Sequence, residues 1–349
     1  MKRRFMQLPR TVVVGRGAVE EVQRVLEDLK MKGPVLLVAD STTYEVAGRH
    51  VHELLKEGFQ VEVGLISDST AGEVGRIEGL LKDKGCSFAI AVGGGRVIDV
   101  TKLASSNRGL DFVSIPTAAA HDGIASSRAS IKRDGSTVSI GARAPVAVVA
   151  DTEVISRAPY RLLASGCGDL ISKYTSVRDW ELARDRKGEE FSEYAAALSM
   201  MSAKMVLDSA GAIKGGGEES VRRVVKALIS CGVAMSIAGS SRPASGSEHK
   251  FSHALDAIAP SPALHGEQCG VATIMMMRLH GGDWEMIRDA LARIGAPTTA
   301  AELGVEDRHV VEALVRAREV RPERYTILEE VGLSEEDAWA LARETGVVS

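Results

Sequence analysis

Asp169, His249 and His265 are residues of this chain whose types suit the holding of one metal ion. One carboxylate and two imidazoles leave a coordination position open for water or substrate, the arrangement of a catalytic rather than a structural site. Asp169 closes the small-residue run Ser165-Gly166-Cys167-Gly168-Asp169, which leads into a helical pattern from Leu170 to Leu182. The histidines lie in Gly246-Ser247-Glu248-His249-Lys250-Phe251-Ser252-His253 and, past Pro262-Ala263-Leu264, in His265-Gly266. Residues four apart share one helix face, so His249 can bind metal while His253 reaches a substrate; the alternative is a helix-surface histidine. A metal with an open position polarises an oxygen-bearing carbon and stabilises negative charge developing on the oxygen. This donor set suits zinc and would also accept iron, nickel or manganese.

A second chemical feature lies upstream. The apolar run Phe88 to Val92 passes directly into Gly93-Gly94-Gly95-Arg96-Val97-Ile98-Asp99. Glycines between a buried strand and a helix let backbone N–H groups approach a phosphate, and the helix N-terminus adds partial positive charge. The spacing matches neither G-x-G-x-x-G nor the Walker loop. Asp40, at the end of another strand, could accept a hydrogen bond from a ribose hydroxyl and favour NAD, or could simply shape a turn. Gly15-Arg16-Gly17 and Lys214-Gly215-Gly216-Gly217 read as turn and helix-stop glycines. Asp122 follows a strand ending at Ile115-Pro116, where α/β folds place ligand-binding residues; the alternative is a local cap.

The elements that must carry these residues are legible as pattern. Val12 to Val14, Val35 to Ala39, Val61 to Val63, Phe88 to Val92, Phe112 to Ile115 and Val146 to Ala150 read as short strands. Helical patterns at Ala18 to Leu29, Tyr44 to Lys56 and Glu73 to Lys84 alternate with them, which implies a parallel sheet flanked by helices. Asp134-Gly135, between two alternating arms, signals a hairpin. Beyond Pro159 helices dominate: Glu189 to Gly211, Glu218 to Ala238, Trp284 to Ile294 with Asp283 as N-cap and Gly295 as stop, and Glu335 to Glu344 opened by Ser334. The expected fold is an N-terminal α/β domain with a parallel sheet, residues 1–160, followed by an all-α C-terminal domain, residues 161–349.

At 349 residues the chain has room for two domains. Its net charge of −4 argues against a nucleic-acid partner. Cys86, Cys167, Cys231 and Cys269 lack paired spacing, so neither a disulfide framework nor a structural zinc knuckle is expected. Cys167 and Cys269 lie near the metal residues but read as packing residues. Basic residues near Met1 precede no apolar run, so no signal peptide is expected. No stretch approaches the roughly 18 apolar residues of a transmembrane span, so a soluble, cytoplasmic protein is expected.

Five segments in collinear order carry a family resemblance. They are Gly93 to Lys102, Pro116-Thr117-Ala118-Ala119-Ala120-His121-Asp122-Gly123-Ile124-Ala125-Ser126, Ser165 to Lys173, Gly246 to His253, and His265-Gly266-Glu267-Gln268-Cys269-Gly270-Val271. Arg321-Pro322-Glu323-Arg324-Tyr325-Thr326-Ile327-Leu328 adds to them. Together they resemble the superfamily of iron-dependent alcohol dehydrogenases, glycerol dehydrogenases and dehydroquinate synthases, and most closely its sn-glycerol-1-phosphate dehydrogenase branch. The resemblance implies a Rossmann-like first domain and a helical second domain. It implies that Gly94, Gly95, Arg96, Val97, Asp99, Thr117, Ala118, Ala119, Ala120 and Ser126 contact NAD(H) or NADP(H). It implies one zinc ion per subunit on Asp169, His249 and His265, and substrate contacts from Asp122, Asp169 and His253. The implied reaction is reduction of dihydroxyacetone phosphate to sn-glycerol 1-phosphate, the start of an ether-lipid backbone, in a homo-oligomer. The alternatives are a glycerol dehydrogenase and a synthase-like NAD-dependent phosphate lyase. Lys173, Arg161, Lys204 and Lys250 lie near the site, but most lysines are solvated, and none is nominated for the substrate phosphate.

Overall fold

Residues 6–133 and 136–349 are described in a computed structural model. The β-branched runs form β1 (Thr11–Gly15), β2 (Val35–Asp40), β3 (Val61–Ile66), β4 (Phe88–Gly93), β5 (Asp111–Pro116), β6 (Arg128–Arg133), β7 (Ser136–Gly141) and β8 (Ala147–Asp151). Six of them make a sheet in the order β1-β8-β5-β4-β2-β3, parallel throughout. The central strands β4 and β8 are buried on both faces, as a sheet covered by helices requires. β6 and β7 pair antiparallel with Arg133 opposite Ser136. The Asp134-Gly135 turn expected between them lies outside the described residues.

The helices used below are α1 (Val22–Asp28), α2 (Arg49–Leu55), α3 (Ala71–Asp83), α4 (Gly95–Asn107), α5 (Tyr160–Ile171), α6 (Lys173–Lys187), α7 (Glu193–Asp208), α8 (Glu218–Ala238), α9 (Ser247–Ile258), α10 (His265–Leu279), α11 (Trp284–Ile294) and α12 (Glu335–Glu344). The caps read from sequence are in place: Asp283 accepts from Met286 N at 2.9 Å, Gly295 ends α11 at φ 85°, and Ser334 opens α12. The chain divides into two compact units, one of Met1–Tyr160 with Gly217–Ser236 and one of Arg161–Gly216 with Ile237–Ser349. Most of α8 thus returns to the α/β unit, although the sequence pattern grouped it with the helices around it. Its Gly232 lies so close to Ala125 and Ser126 that a Cβ there would stand 2.8 Å from their backbone atoms.

In the first unit, α1 and α2 bury Val22, Leu26, Val51 and Leu55 against Leu37, Ile90 and Val149 of the sheet. The sheet changes direction around β2: β3 lies on one side and β4 on the other. The C-terminal ends of β2 and β4, at Asp40 and Gly93, therefore flank the switch point where such sheets bind ligands.

In the second unit one departure from the sequence reading matters for the site. The run Ser165–Asp169 does not lead into a helix; it lies inside α5, fully buried, and the chain breaks at Ser172 before α6. The Ser172 hydroxyl donates to the Asp169 carbonyl at 2.7 Å, and side-chain capture of a helix carbonyl favours such a break. The small residues serve packing. A Cβ on Gly168 would overlap the Gly266 carbonyl oxygen, one on Gly266 would overlap that of Ser165, and one on Gly270 would stand 3.3 Å from the Gly168 Cα. α5 and α10 therefore meet backbone to backbone.

Opposite signs are expected for two glycine substitutions. Gly168→Ala forces overpacking at this crossing and should destabilise the protein by about 1–3 kcal/mol. Gly75→Ala, in α3 with open space at its Cβ position, should stabilise it by up to about 1 kcal/mol. Thermal unfolding of both variants checks this, and equal shifts would refute the crossing as described.

Candidate active site

In the first unit, the start of α4 presents backbone donors. Gly94 is its N-cap without a side-chain cap, so the first N–H groups have no acceptor within the helix. The space above Gly94 is open, whereas a Cβ on Gly95 would overlap the His121 imidazole. Nδ1 of that ring accepts from Gly123 N at 2.9 Å. Arg96 is largely exposed and lies 4.0 Å from Asp40. Asp40 itself accepts from Thr43 N at 2.7 Å, which leaves its second oxygen toward Arg96. Both border an open cleft of about 520 Å³, with Ser41, Ser67 and Arg76.

Other expected cofactor residues face inward. Val97 is fully buried and packs over Gly93. Asp99 accepts from Lys102 Nζ at 2.9 Å and from Ser130 N at 3.0 Å. Lys102, with no exposed surface, also donates to Gly123 O at 2.8 Å and Arg128 O at 2.6 Å. The Asp99–Lys102 pair thus clamps the loop after β5 to α4. Thr117 N donates to Gly93 O at 3.1 Å, which sets the buried Thr117, Ala118 and Ala119, followed by half-buried Ala120, beside the glycine loop. Ser126 is buried, and its hydroxyl accepts from Arg128 N at 3.4 Å. Asp122 begins a short 3₁₀ turn, where its carboxylate accepts from the Cys231 thiol of α8 at 3.2 Å.

In the second unit, α5, α9 and α10 bring Asp169, His249, His253 and His265 together. His249 Nε2 lies 3.8 Å from Asp169 Oδ1. The rings of His249 and His265 are 4.8 Å apart, and those of His253 and His265 are 6.0 Å apart. Both candidate ligand rings have Nδ1 engaged. His249 Nδ1 lies 2.8 Å from Glu248 Oε1. His265 Nδ1 lies 3.1 Å from the Ser252 hydroxyl, which itself donates to Gln268 Oε1 at 2.9 Å. With its proton committed to Gln268, that hydroxyl accepts from His265 Nδ1–H. Each ring therefore turns Nε2 away from its Nδ1 partner, toward Asp169 for His249 and toward Cys269 for His265, the pattern of metal-ligating histidines supported by an outer shell. Cys269, one helical turn after His265, holds Sγ 3.6 Å from His265 Nε2. Ligand atoms of His249, His265 and Cys269 all lie within 4.8 Å of one another, a potential metal-ligand cluster among the described residues.

Electrostatics fit neutral imidazoles around a cation. Burial, then the neighbouring His265 and Lys173, hold His249 well below the ordinary histidine range. Burial, then His265, Arg321 and Arg324, push His253 down to about 3, and its buried Nδ1 has no hydrogen-bond partner among the described residues. Burial, then Asp169 and Glu248, drive Cys269 well above the ordinary thiol range, so in the metal-free protein it is a thiol. A bound cation would invert that preference. Asp169 is held by Lys173 Nζ at 2.6 Å, both fully buried.

Sequence reasoning missed four buried residues of this region. Cys269 carried a signal, its spacing of four from His265 on one helix. Glu248 adjoins His249, but the direction of its carboxylate follows from Thr175 Oγ1 and Gly246 N, which bond it at 2.8 and 2.7 Å. Lys173 and Lys250 were passed over as solvated lysines, and both are buried. Arg161 is instead the exposed partner of Glu267, and Lys204 that of Asp208. His280 is structural, 3.0 Å from Asp179. No helix among the described residues is long and apolar enough to cross a membrane.

Comparison with known proteins places the chain. Residues 13–159 match the family described as iron-containing alcohol dehydrogenase. The structure of a probable glycerol dehydrogenase from Sinorhizobium meliloti superposes with a TM-score of 0.81, covering 99% of this chain and 100% of that one at 19% identity. The family match covers the first unit, and the whole chain shares the fold of that structure. Glycerol-1-phosphate dehydrogenase [NAD(P)+] from Methanosarcina acetivorans is 58% identical over 99% of this chain and 97% of its own. The enzyme of that name from Methanothermobacter thermautotrophicus is 56% identical over 100% of both. The chain therefore belongs to the sn-glycerol-1-phosphate dehydrogenase family.

Glu248 supplies a test of the site. Burial, then the charge of Asp179, push its carboxyl up to about 7. Binding through His249 Nε2 favours Nδ1–H facing a carboxylate, so below about pH 7 binding must release the Glu248 proton. Metal affinity should therefore rise with pH to about 7 and flatten above it. Glu248→Gln should weaken metal retention about 10–100-fold and remove that slope. Chelator competition across pH measures both.

Proposed function

We propose that this chain catalyses the NAD(P)H-dependent, metal-assisted reduction of dihydroxyacetone phosphate to sn-glycerol 1-phosphate, the starting unit of an ether-lipid backbone. The reading is carried by the convergence of Asp169, His249 and His265, with both imidazole Nδ1 atoms engaged by outer partners, in a chain 58% identical to a dehydrogenase of that name. Asp169, His249 and His265 would hold one zinc ion per subunit, a role that suits His249 because burial keeps its imidazole neutral. When bound, the metal polarises the ketone and offsets the oxygen charge, while the nicotinamide supplies the hydride.

The chain's own residues do the rest. Asp169 also contacts substrate, with Lys173 fixing one of its oxygens. His253 is neutral at any physiological pH and orients the substrate as a hydrogen-bond partner rather than as an imidazolium acid. Asp122 accepts from a substrate hydroxyl. The start of α4, at Gly94, Gly95 and Arg96, receives the dinucleotide pyrophosphate on backbone N–H groups. Val97 and Asp99 contribute by holding that turn, Thr117 to Ala120 and Ser126 complete the cofactor site, and the binding segments fall within residues 1–160. Residues 161–349 supply the metal and substrate groups. Asp40 provides an acceptor for a ribose hydroxyl and Arg96 a cation for a 2′-phosphate, which supports use of either NADH or NADPH. Tyr194, Met201 and Met205, exposed along α7, support a homo-oligomer. The protein works in the cytoplasm.

Purified protein should oxidise NADH on addition of dihydroxyacetone phosphate, yield the sn-1 enantiomer and lose activity to a chelator. His265→Ala should lose its metal and at least roughly 10²-fold in kcat/KM. Activity on glycerol with NAD and none on the triose phosphate would overturn the substrate. Full-rate turnover by His265→Ala would overturn the metal site.

A further inference from the structure

Four cations of the second unit are paired with carboxylates, and a fifth, Arg324, donates to Ser245 O and Ser241 Oγ. Lys173 lies 2.6 Å from Asp169, Lys250 2.5 Å from Glu329 and Arg161 2.6 Å from Glu267; Arg242 pairs with Glu189. Arg321 has only Glu323 at 3.8 Å, a residue whose side chain is 72% exposed. Its own side chain is 24% exposed, and among the described residues its guanidinium reaches no hydrogen-bond acceptor. Five N–H donors held largely out of water without acceptors are an arrangement that favours an anionic ligand.

The backbone holds this side chain in an unusual way. Arg321 has φ 52°, in the left-handed region, although it is neither glycine nor asparagine and precedes Pro322, which disfavours helical conformations at the residue before it. Such conformations persist where surrounding contacts impose them. Those contacts are present: Arg324 N donates to Arg321 O at 2.8 Å, and Lys250 Nζ to Arg324 O at 3.2 Å. Arg324 also donates to Ser245 O and to Ser241 Oγ, and Arg242 donates to Tyr325 O at 2.9 Å. The turn is thus fastened to the start of α9, which carries His249 and His253. Arg321 is one of the charges that depress the His253 imidazole, so it lies within electrostatic reach of that ring.

Building on the triose-phosphate reading above, we propose that Arg321 binds the phosphate of the substrate, a phosphomonoester dianion, and sets the preference for phosphorylated over free trioses. The planar guanidinium fork matches two phosphate oxygens, and a dianion supplies the acceptors and countercharge that the protein withholds. Because the backbone of Arg321 is held before substrate arrives, less ordering remains at binding.

Steady-state kinetics of the metal-loaded enzyme test this with dihydroxyacetone phosphate, dihydroxyacetone, NADH and NADPH. Arg321→Met should raise KM for dihydroxyacetone phosphate by roughly 10²-fold. It should lower the kcat/KM ratio of phosphorylated to free triose by a similar factor and abolish competitive inhibition by inorganic phosphate. Arg321→Lys, which keeps the charge but loses the fork, should fall between. An unchanged ratio overturns the assignment, as does a raised KM for NADPH with that for the triose phosphate unmoved, which would give the guanidinium to the cofactor. Wild-type enzyme inactive on dihydroxyacetone phosphate overturns the reaction and this role together. Should the variants fail to fold, wild type still decides. Phenylglyoxal modification of Arg321, followed by peptide mass, should be slowed by inorganic phosphate and not by NADH. Equal labelling with and without phosphate overturns the proposal.

Discussion

The helical site depends on one close approach, the crossing of α5 and α10 at Gly168, Gly266 and Gly270. Side chains larger than hydrogen there would separate the two backbones. Asp169 follows Gly168 and His265 precedes Gly266, so the contact that excludes a Cβ also fixes a carboxylate and an imidazole on neighbouring helices. Core packing transmits such constraints because interiors are dense and resist compression. The outer hydrogen bonds then finish what the crossing begins. Glu248 and Ser252 engage the Nδ1 atoms, and Lys173 engages Asp169, so the remaining donor atoms are specified before any cation arrives.

Buried charge is the second organising theme. Lys102 and Lys173 have no exposed surface, yet each is satisfied by a carboxylate and backbone carbonyls. Removing one partner of such a pair strands the other in a medium that solvates it poorly, typically at several kcal/mol. These pairs therefore tie loops to helices at positions where a slack site would lose function. Asp179 extends the pattern, accepting from Ser247 N, Ile327 N and His280 while lying near Glu248.

What was legible in the sequence follows from what is local. The parallel sheet was readable because strand and helix periodicities are short-range, and α11 could be bounded by Asp283 and Gly295 because caps act within a turn. Asp169, His249 and His265 could be nominated together from residue type and resemblance. The return of α8 to the α/β unit was not readable, because Gly232 against Ala125 is a contact between distant segments with no periodic signature. Neither was the inward turn of Asp99, since a carboxylate beside a glycine loop looks the same whether it faces a ligand or Lys102. Arg321 escaped for a related reason: its significance lies in a guanidinium with only the exposed Glu323 beside it among the described residues and in a left-handed backbone, and neither is a property of composition.

The most direct test of the central claim, that this crossing presets a one-carboxylate, two-imidazole metal centre, is X-ray absorption at the metal edge of the zinc-loaded protein. The account predicts two imidazole scatterers with oxygen at about 2.0–2.2 Å and no sulfur shell. A sulfur shell near about 2.3 Å would put Cys269 in the coordination sphere in place of Asp169 and contradict it.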